Sequence, residues 1–260
     1  LFAYRNKGVG MGIVGTASGP GGPAIPGTPF PFFSSNVQSN VMKGGAIFGQ
    51  ATYSLSDVFR VTLGGRYGID NKKARGIALD DQMSQYTFDK TFRRFDYKAG
   101  LEYDVADRVM LYATYQTGYQ PGTFNEVVDL PGRPNLVRTG KMKGISGGFK
   151  ARFLDNRLQI NNEAFFYVYT DLAIQAYDAS KLYNEIFNAG KVEIPGNQLD
   201  ILLQPNPDTK LNLSISYVHA RNKDFITPAG VNYNGLAGPY AADWTIGGGF
   251  SQDFQIGSGY

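Results

Sequence analysis

The chain has a single histidine, His219, and no cysteine. Acid–base or nucleophilic chemistry would therefore have to be assembled around that imidazole or around paired carboxylates. His219 falls in phase with Leu213, Ile215 and Tyr217 near the end of an alternating run, and no set of metal ligands stands at suitable spacing around it. Asp80 with Asp81, and Asp104 with Asp107, come nearest to paired carboxylates. The first pair lies in a polar loop and the second in a tight turn, where carboxylates are expected to be solvated. There is no Gly-x-Ser-x-Gly elbow, phosphate loop or histidine-containing triad pattern. The absence of cysteine excludes disulfide scaffolds and thiolate metal sites. We expect no catalytic residue, no metal site, no cofactor and no enzyme activity.

A second group of residues suits recognition instead. Between 94 and 105 the chain reads Arg94, Phe95, Asp96, Tyr97, Lys98, Ala99, Gly100, Leu101, Glu102, Tyr103, Asp104, Val105. Odd positions are apolar or aromatic and even positions are charged or glycine. A strand turns successive side chains to opposite faces, so one face here is greasy and the other ionic. Arg66 takes the corresponding ionic face of the preceding strand, between Leu63 and Tyr67. Arg66, Arg94, Asp96, Lys98 and Glu102 are expected to face a wet lumen if the apolar face meets lipid. The simpler reading of these charges is a solvated wall with cross-strand ion pairs.

The elements that would position them repeat along the chain. Alternating runs cover 41–55, 58–70, 94–105, 108–119, 142–153, 158–175, 182–203, 210–222 and 242–252, after a strand end at 1–7. Short turns alternate with mostly long loops at 8–36, 71–91, 120–139 and 223–239. That asymmetry, and runs long enough to cross a bilayer at a tilt, predict an all-β transmembrane antiparallel up-and-down β-barrel with about ten strands present. The 17 Tyr and 18 Phe suit interfacial girdles. No apolar run approaches the roughly 18 residues of a spanning helix. A net charge of +3, with scattered basic residues, argues against a nucleic-acid partner. No signal peptide is visible, and Leu1 falls inside a strand pattern, so we expect a cropped or processed beginning.

Several segments resemble TonB-dependent outer-membrane receptors of the siderophore-receptor type. They are Ala46-Ile47-Phe48-Gly49-Gln50-Ala51-Thr52-Tyr53, then Leu63-Gly64-Gly65-Arg66-Tyr67, then Met110-Leu111-Tyr112-Ala113-Thr114-Tyr115 running on to Gly118-Tyr119-Gln120-Pro121-Gly122-Thr123-Phe124-Asn125, and finally Asn188-Ala189-Gly190-Lys191-Val192-Glu193-Ile194 with Gly196. They occur in family order and span nearly the whole chain. One departure is Gln198, which stands where the family carries a carboxylate.

The resemblance implies a larger barrel of about 22 strands, plugged by a separate N-terminal domain. No segment here resembles the plug or the TonB box, so residues 1–260 are expected to be a barrel portion without the plug. An open sheet of ten strands would leave two edges unpaired in lipid, which favours pairing with further strands. It further implies the outer membrane of a Gram-negative bacterium, outer-membrane lipid around the wall, and a ferric siderophore or similar scarce ligand. The TonB system would act through the missing plug. Ligand-binding candidates are Arg66, Arg94 and Lys98 in the lumen and Tyr119, Phe124 and Asn125 at the vestibule. The loops 8–36 and 71–91 are better candidates as a class. The alternative is a small self-contained outer-membrane pore or adhesin barrel. A third reading, an outer-membrane protease or lipase barrel, lacks a clustered catalytic set.

Overall fold

The computed structural model describes residues 2–14, 34–78, 85–124, 136–178, 183–226, 230–237 and 242–254. These form β1 (Phe2–Val14), β2 (Ser34–Ser54), β3 (Phe59–Ala78), β4 (Gln85–Ala106), β5 (Val109–Gln120), β6 (Thr123–Phe124), β7 (Leu136–Val137), β8 (Gly140–Phe153), β9 (Leu158–Asp178), β10 (Tyr183–Asn206), β11 (Thr209–Val218), β12 (Arg221–Lys223) and β13 (Trp244–Gln252). Ten of them make one antiparallel sheet in the order β1-β2-β3-β4-β5-β8-β9-β10-β11-β13. β12 adds to the far end of β10, and β6 pairs only with β7. The up-and-down all-β architecture expected from alternation is the one observed. The sheet is open: among the described residues β1 and β13 each pair on one side only.

Register carries the apolar positions across the sheet in rungs. One rung joins Ala51, Leu63, Ala99, Tyr115, Ile145, Phe166 and Pro195. Large apolar side chains on this face stay uncovered, with Leu63 61% and Ile246 68% exposed. A face of this kind is stable against hydrocarbon and not against water. Two asparagines interrupt it. Asn162 and Asn197 satisfy one another there, Nδ2 of Asn162 donating to Oδ1 of Asn197 at 2.9 Å, with a second bond to the Gln198 carbonyl at 3.0 Å.

Short connections lie at one end of the sheet and follow from local chemistry. Ser56 accepts the Phe59 amide at 3.1 Å, and Asn206 accepts the Asp208 amide at 3.0 Å. Leu154, Asp155 and Asn156 turn β8 into β9 with φ of 52°, 53° and 69°, a region that Asp and Asn tolerate.

At the opposite end the strands run further than alternation predicts. The 8–36 and 71–91 stretches, expected to be loops, are partly ladder. Gly8 pairs with Asn40 and Asn71 with Thr91, and β3 and β4 continue to Ala78 and from Gln85. β2, β3 and β4 have 21, 20 and 22 residues, about twice the 9–11 that cross a bilayer. Beyond the apolar band both faces are wet, so alternation disappears while backbone pairing continues.

Candidate functional site

The ionic face of β3 and β4 builds the site. Register sets Arg66 directly opposite Asp96, with Nη1 3.9 Å from Oδ2. Arg94, two residues along the same strand, brings Nε to 3.5 Å from Asp96 Oδ1. The Thr117 hydroxyl donates to that same oxygen at 3.4 Å. Asp96 is thereby nearly closed off, its side chain 8% exposed, while Arg66 remains 45% exposed. The carboxylate orients the guanidinium without consuming it.

Tyr119 joins the cluster from β5. Alternation continued along β5 would set it on the apolar face with Tyr115. The β4–β5 ladder ends at Lys98 and Gln116, however, while the β5–β8 ladder continues to Gln120 and Gly140. The Tyr97 amide bonds the Thr117 hydroxyl at 3.0 Å instead of a strand carbonyl. Beyond that break the Tyr119 hydroxyl donates to Asp70, and its ring lies 5.9 Å from the Arg66 guanidinium. Gly68 makes this approach feasible, since a Cβ there would stand 2.6 Å from the Tyr119 hydroxyl. The result is an open groove of 520 Å³ lined by Phe48, Gln50, Arg66, Lys98, Gln116 and Tyr119 among others. Lys98 is exposed and has no ion pair among the described residues. Three cations (Arg66, Arg94, Lys98) thus share the site with two carboxylates, Asp70 and Asp96.

Glu102 shares the ionic face, as expected, but is occupied. Arg60 bonds it at 2.9 Å and also holds Asp104 at 2.6 and 2.9 Å. Asp104 is thus an ion-pair partner and not half of an acid–base pair.

Phe124 lies away from the groove. It is 9% exposed and stacks on Phe88 with centroids 4.6 Å apart. Ala74 and Leu136 complete this small core on the projecting end of the sheet. Phe92 is buried beside Gly122, where a Cβ would meet the Val137 carbonyl at 2.3 Å and the Phe92 ring at 2.7 Å. Lys72 reaches the Pro121 carbonyl at 3.5 Å, and burial lowers its pKa while Asp70 opposes the shift. Asn125 lies outside the described residues. Phe88 and Phe92 sit at even positions, where the band carries charge, and that reversal is the sequence signal for a covered patch.

His219 belongs to the rim. Its ring stacks with Tyr217 at 6.1 Å, and Nδ1 is 3.0 Å from Asp243. Arg221 bonds both oxygens of Asp243, at 2.9 and 2.6 Å. Arg221 first, and His219 second, hold the Asp243 carboxyl at about 2. No group of three or more metal-ligating side chains occurs among the described residues.

Comparison with solved structures places this sheet in a known fold. The ferric yersiniabactin uptake receptor FyuA of Yersinia pestis superposes with a TM-score of 0.71 at 16% identity, over 87% of this chain and 33% of that one. The siderophore receptor PiuA of Acinetobacter baumannii gives 0.63 at 16% identity, over 84% and 33%. The ferric-catecholate import receptor Fiu of E. coli K12 gives 0.60 at 17% identity, over 94% and 37%. The chain therefore spans about a third of the length of these receptors. No curated protein matches it. The family model for the TonB dependent receptor-like β-barrel matches residues 2–260. Its members are transport receptors and not enzymes. This chain belongs to the TonB-dependent receptor family, in its β-barrel region.

Proposed function

We propose that the chain is part of the barrel wall, with outward-projecting loops, of a longer outer-membrane receptor that imports a scarce ligand of the ferric-siderophore class. The carrying observation is one sheet with an uncovered apolar face and, on its reverse, a groove with cations in excess. The apolar face suits outer-membrane lipid. The groove suits an anionic metal chelate, which exposed Arg66 and Lys98 would attract and Gln50 and Gln116 would hydrogen-bond. The two edges at β1 and β13 support a barrel completed by further strands, since unpaired edges cost several kcal/mol per backbone group in lipid. In that receptor, the TonB system would act through a plug domain outside these residues.

The groove is tested with Lys98→Gln in the full-length receptor, using binding of a panel of radiolabelled ferric siderophores to whole cells. For the bound member of the panel we expect about tenfold weaker affinity, the usual scale for one charged hydrogen bond. Unchanged affinity would remove the groove from the ligand path. The mass of the native protein in outer-membrane fractions separates this reading from a small self-contained pore. A mass near three times 28.4 kDa supports the receptor, and a mass near 28.4 kDa supports the pore.

A further inference from the structure

The groove on the ionic face carries more than charge. Phe48, Arg66 and Asp96 stand directly opposite one another on β2, β3 and β4, so Phe48 belongs to the ionic face. The next positions of β2 on that face are Gln50 and Thr52, both polar. Phe48 is nevertheless a large apolar ring, 61% exposed, and it lines the groove beside Arg66. An uncovered ring on a polar wall leaves apolar surface in water, and an apolar partner seated in the groove would remove it. The rings of the apolar face cannot serve, because they lie on the opposite side of the sheet.

Two further rings reach the same place. Tyr119 is fixed by its bond to Asp70 and lies against the Arg66 guanidinium. Tyr167 comes from β9, inside the sheet, with β8 and β10 paired on its two sides. Gly144 stands opposite it on β8, and a Cβ there would collide with the ring, so the ring lies across the β8 backbone toward β5. Its hydroxyl accepts a bond there from Gln116 Nε2 at 3.2 Å, and Gln116 lines the groove. Phe48 and Tyr167 thus stand on either side of the part of the groove that holds Lys98 and Gln116, which share a rung with Gly144.

We infer that the groove selects anionic iron(III) chelates whose metal-binding groups are planar aryl rings over anionic chelates built on aliphatic groups, with Phe48 and Tyr167 as the specificity-determining side chains. The inference rests on the uptake reading above. Arg66 and Lys98 attract any anionic chelate, whatever carries its oxygens. The rings discriminate, because an aryl group set offset or edge-on against Phe48 and Tyr167 gains attraction that an aliphatic chain does not. The same contact takes the exposed Phe48 ring out of water.

The test uses the full-length receptor, extracted from outer membranes, with two radiolabelled probes: the iron(III) tris-catecholate complex, which is aryl, and ferric citrate, which is aliphatic. Equilibrium dialysis gives the affinity for each, and the readout is their ratio. The unaltered receptor should favour the tris-catecholate. Phe48→Leu and Tyr167→Leu should each lower the ratio about fivefold, the scale of one aromatic pair, and the double variant on the order of twentyfold. Phe48→Trp and Tyr167→Phe keep a ring and should keep the ratio within about twofold, which a loss of wall packing would not predict. Heat-modifiable mobility on gels shows which variants are folded, and either leucine variant alone suffices for the test. Equal affinity of the unaltered receptor for the two chelates would overturn the inference. So would leucine variants that weaken both chelates in proportion, the result expected if these rings only pack against another part of the receptor. Both results leave the uptake reading standing, whereas a receptor that retains neither chelate would overturn that reading and this inference with it.

Discussion

The band near the short turns and the projecting ends of β2–β5 solve the same problem differently. In the band, Leu63, Leu101, Phe95 and Ile246 stay uncovered on one face, and almost nothing large is buried on the other. On the projecting ends, Phe92, Phe124, Val137 and Ala74 are buried by the chain itself. The hydrophobic effect requires only that apolar surface leave water, and the receiving medium is left open. In the proposed receptor, lipid would serve the band, while a folded-back segment serves the outer end. Half of the sheet therefore leaves its apolar face uncovered, while the other half carries its own small core.

The comparison breaks most sharply at Leu101. Leu101→Arg sets a charge on the apolar face of the band and should destabilise the inserted receptor by about 3 kcal/mol. Denaturant titration of the full-length protein in lipid vesicles measures this, and a loss under 1 kcal/mol would mean the face does not meet hydrocarbon. Somewhat smaller is the effect of Phe124→Ala, about 3 kcal/mol or less because its cluster is small. That loss should stay local. Hydrogen exchange of the paired Thr123–Phe124 and Leu136–Val137 segments should quicken while heat-modifiable mobility is unchanged, and a global loss of assembly would show that the two halves are not independent. Smallest is a pH effect at the rim. The folded Asp243 pKa is depressed to about 2 from an ordinary value of 3.8, so its contribution is full above pH 4 and is lost as pH falls toward 2. Hydrogen exchange of the Val218 amide, which bonds the Asp243 carbonyl at 2.9 Å, should quicken over that window. Asp243→Asn should exchange quickly throughout, and an identical pH profile in that variant would exclude the carboxylate as the cause.

Much of this was legible from residue types. Leu63, Leu101 and Tyr115 alternate with Arg66, Lys98 and Gln116, and the observed rungs follow that alternation, because a pleated strand has a side-chain period of two. The same rule correctly set His219 with Tyr217 at the rim. It failed at the outer ends. Asn71, Lys72, Lys73 and Arg75 give no apolar face, so alternation predicts a loop where the ladder continues. It would also have misplaced Tyr119, because nothing in Gln116-Thr117-Gly118-Tyr119 announces that the bond to β4 stops at Gln116.

The sequence by itself therefore determined the strands, the apolar face and the set of cations on the reverse, all of which follow from local periodicity. Only the tertiary structure decided which of those cations stay free. Arg60 is consumed by Glu102 and Asp104, Arg66 is steered by Asp96, and Lys98 is left open, according to cross-strand contacts between residues 30 to 44 positions apart. It also decided that Phe124 is an anchor of the outer core and that Tyr119 shares the groove. Both outcomes depend on where one ladder ends and a segment folds back, and no periodicity within a single strand encodes that.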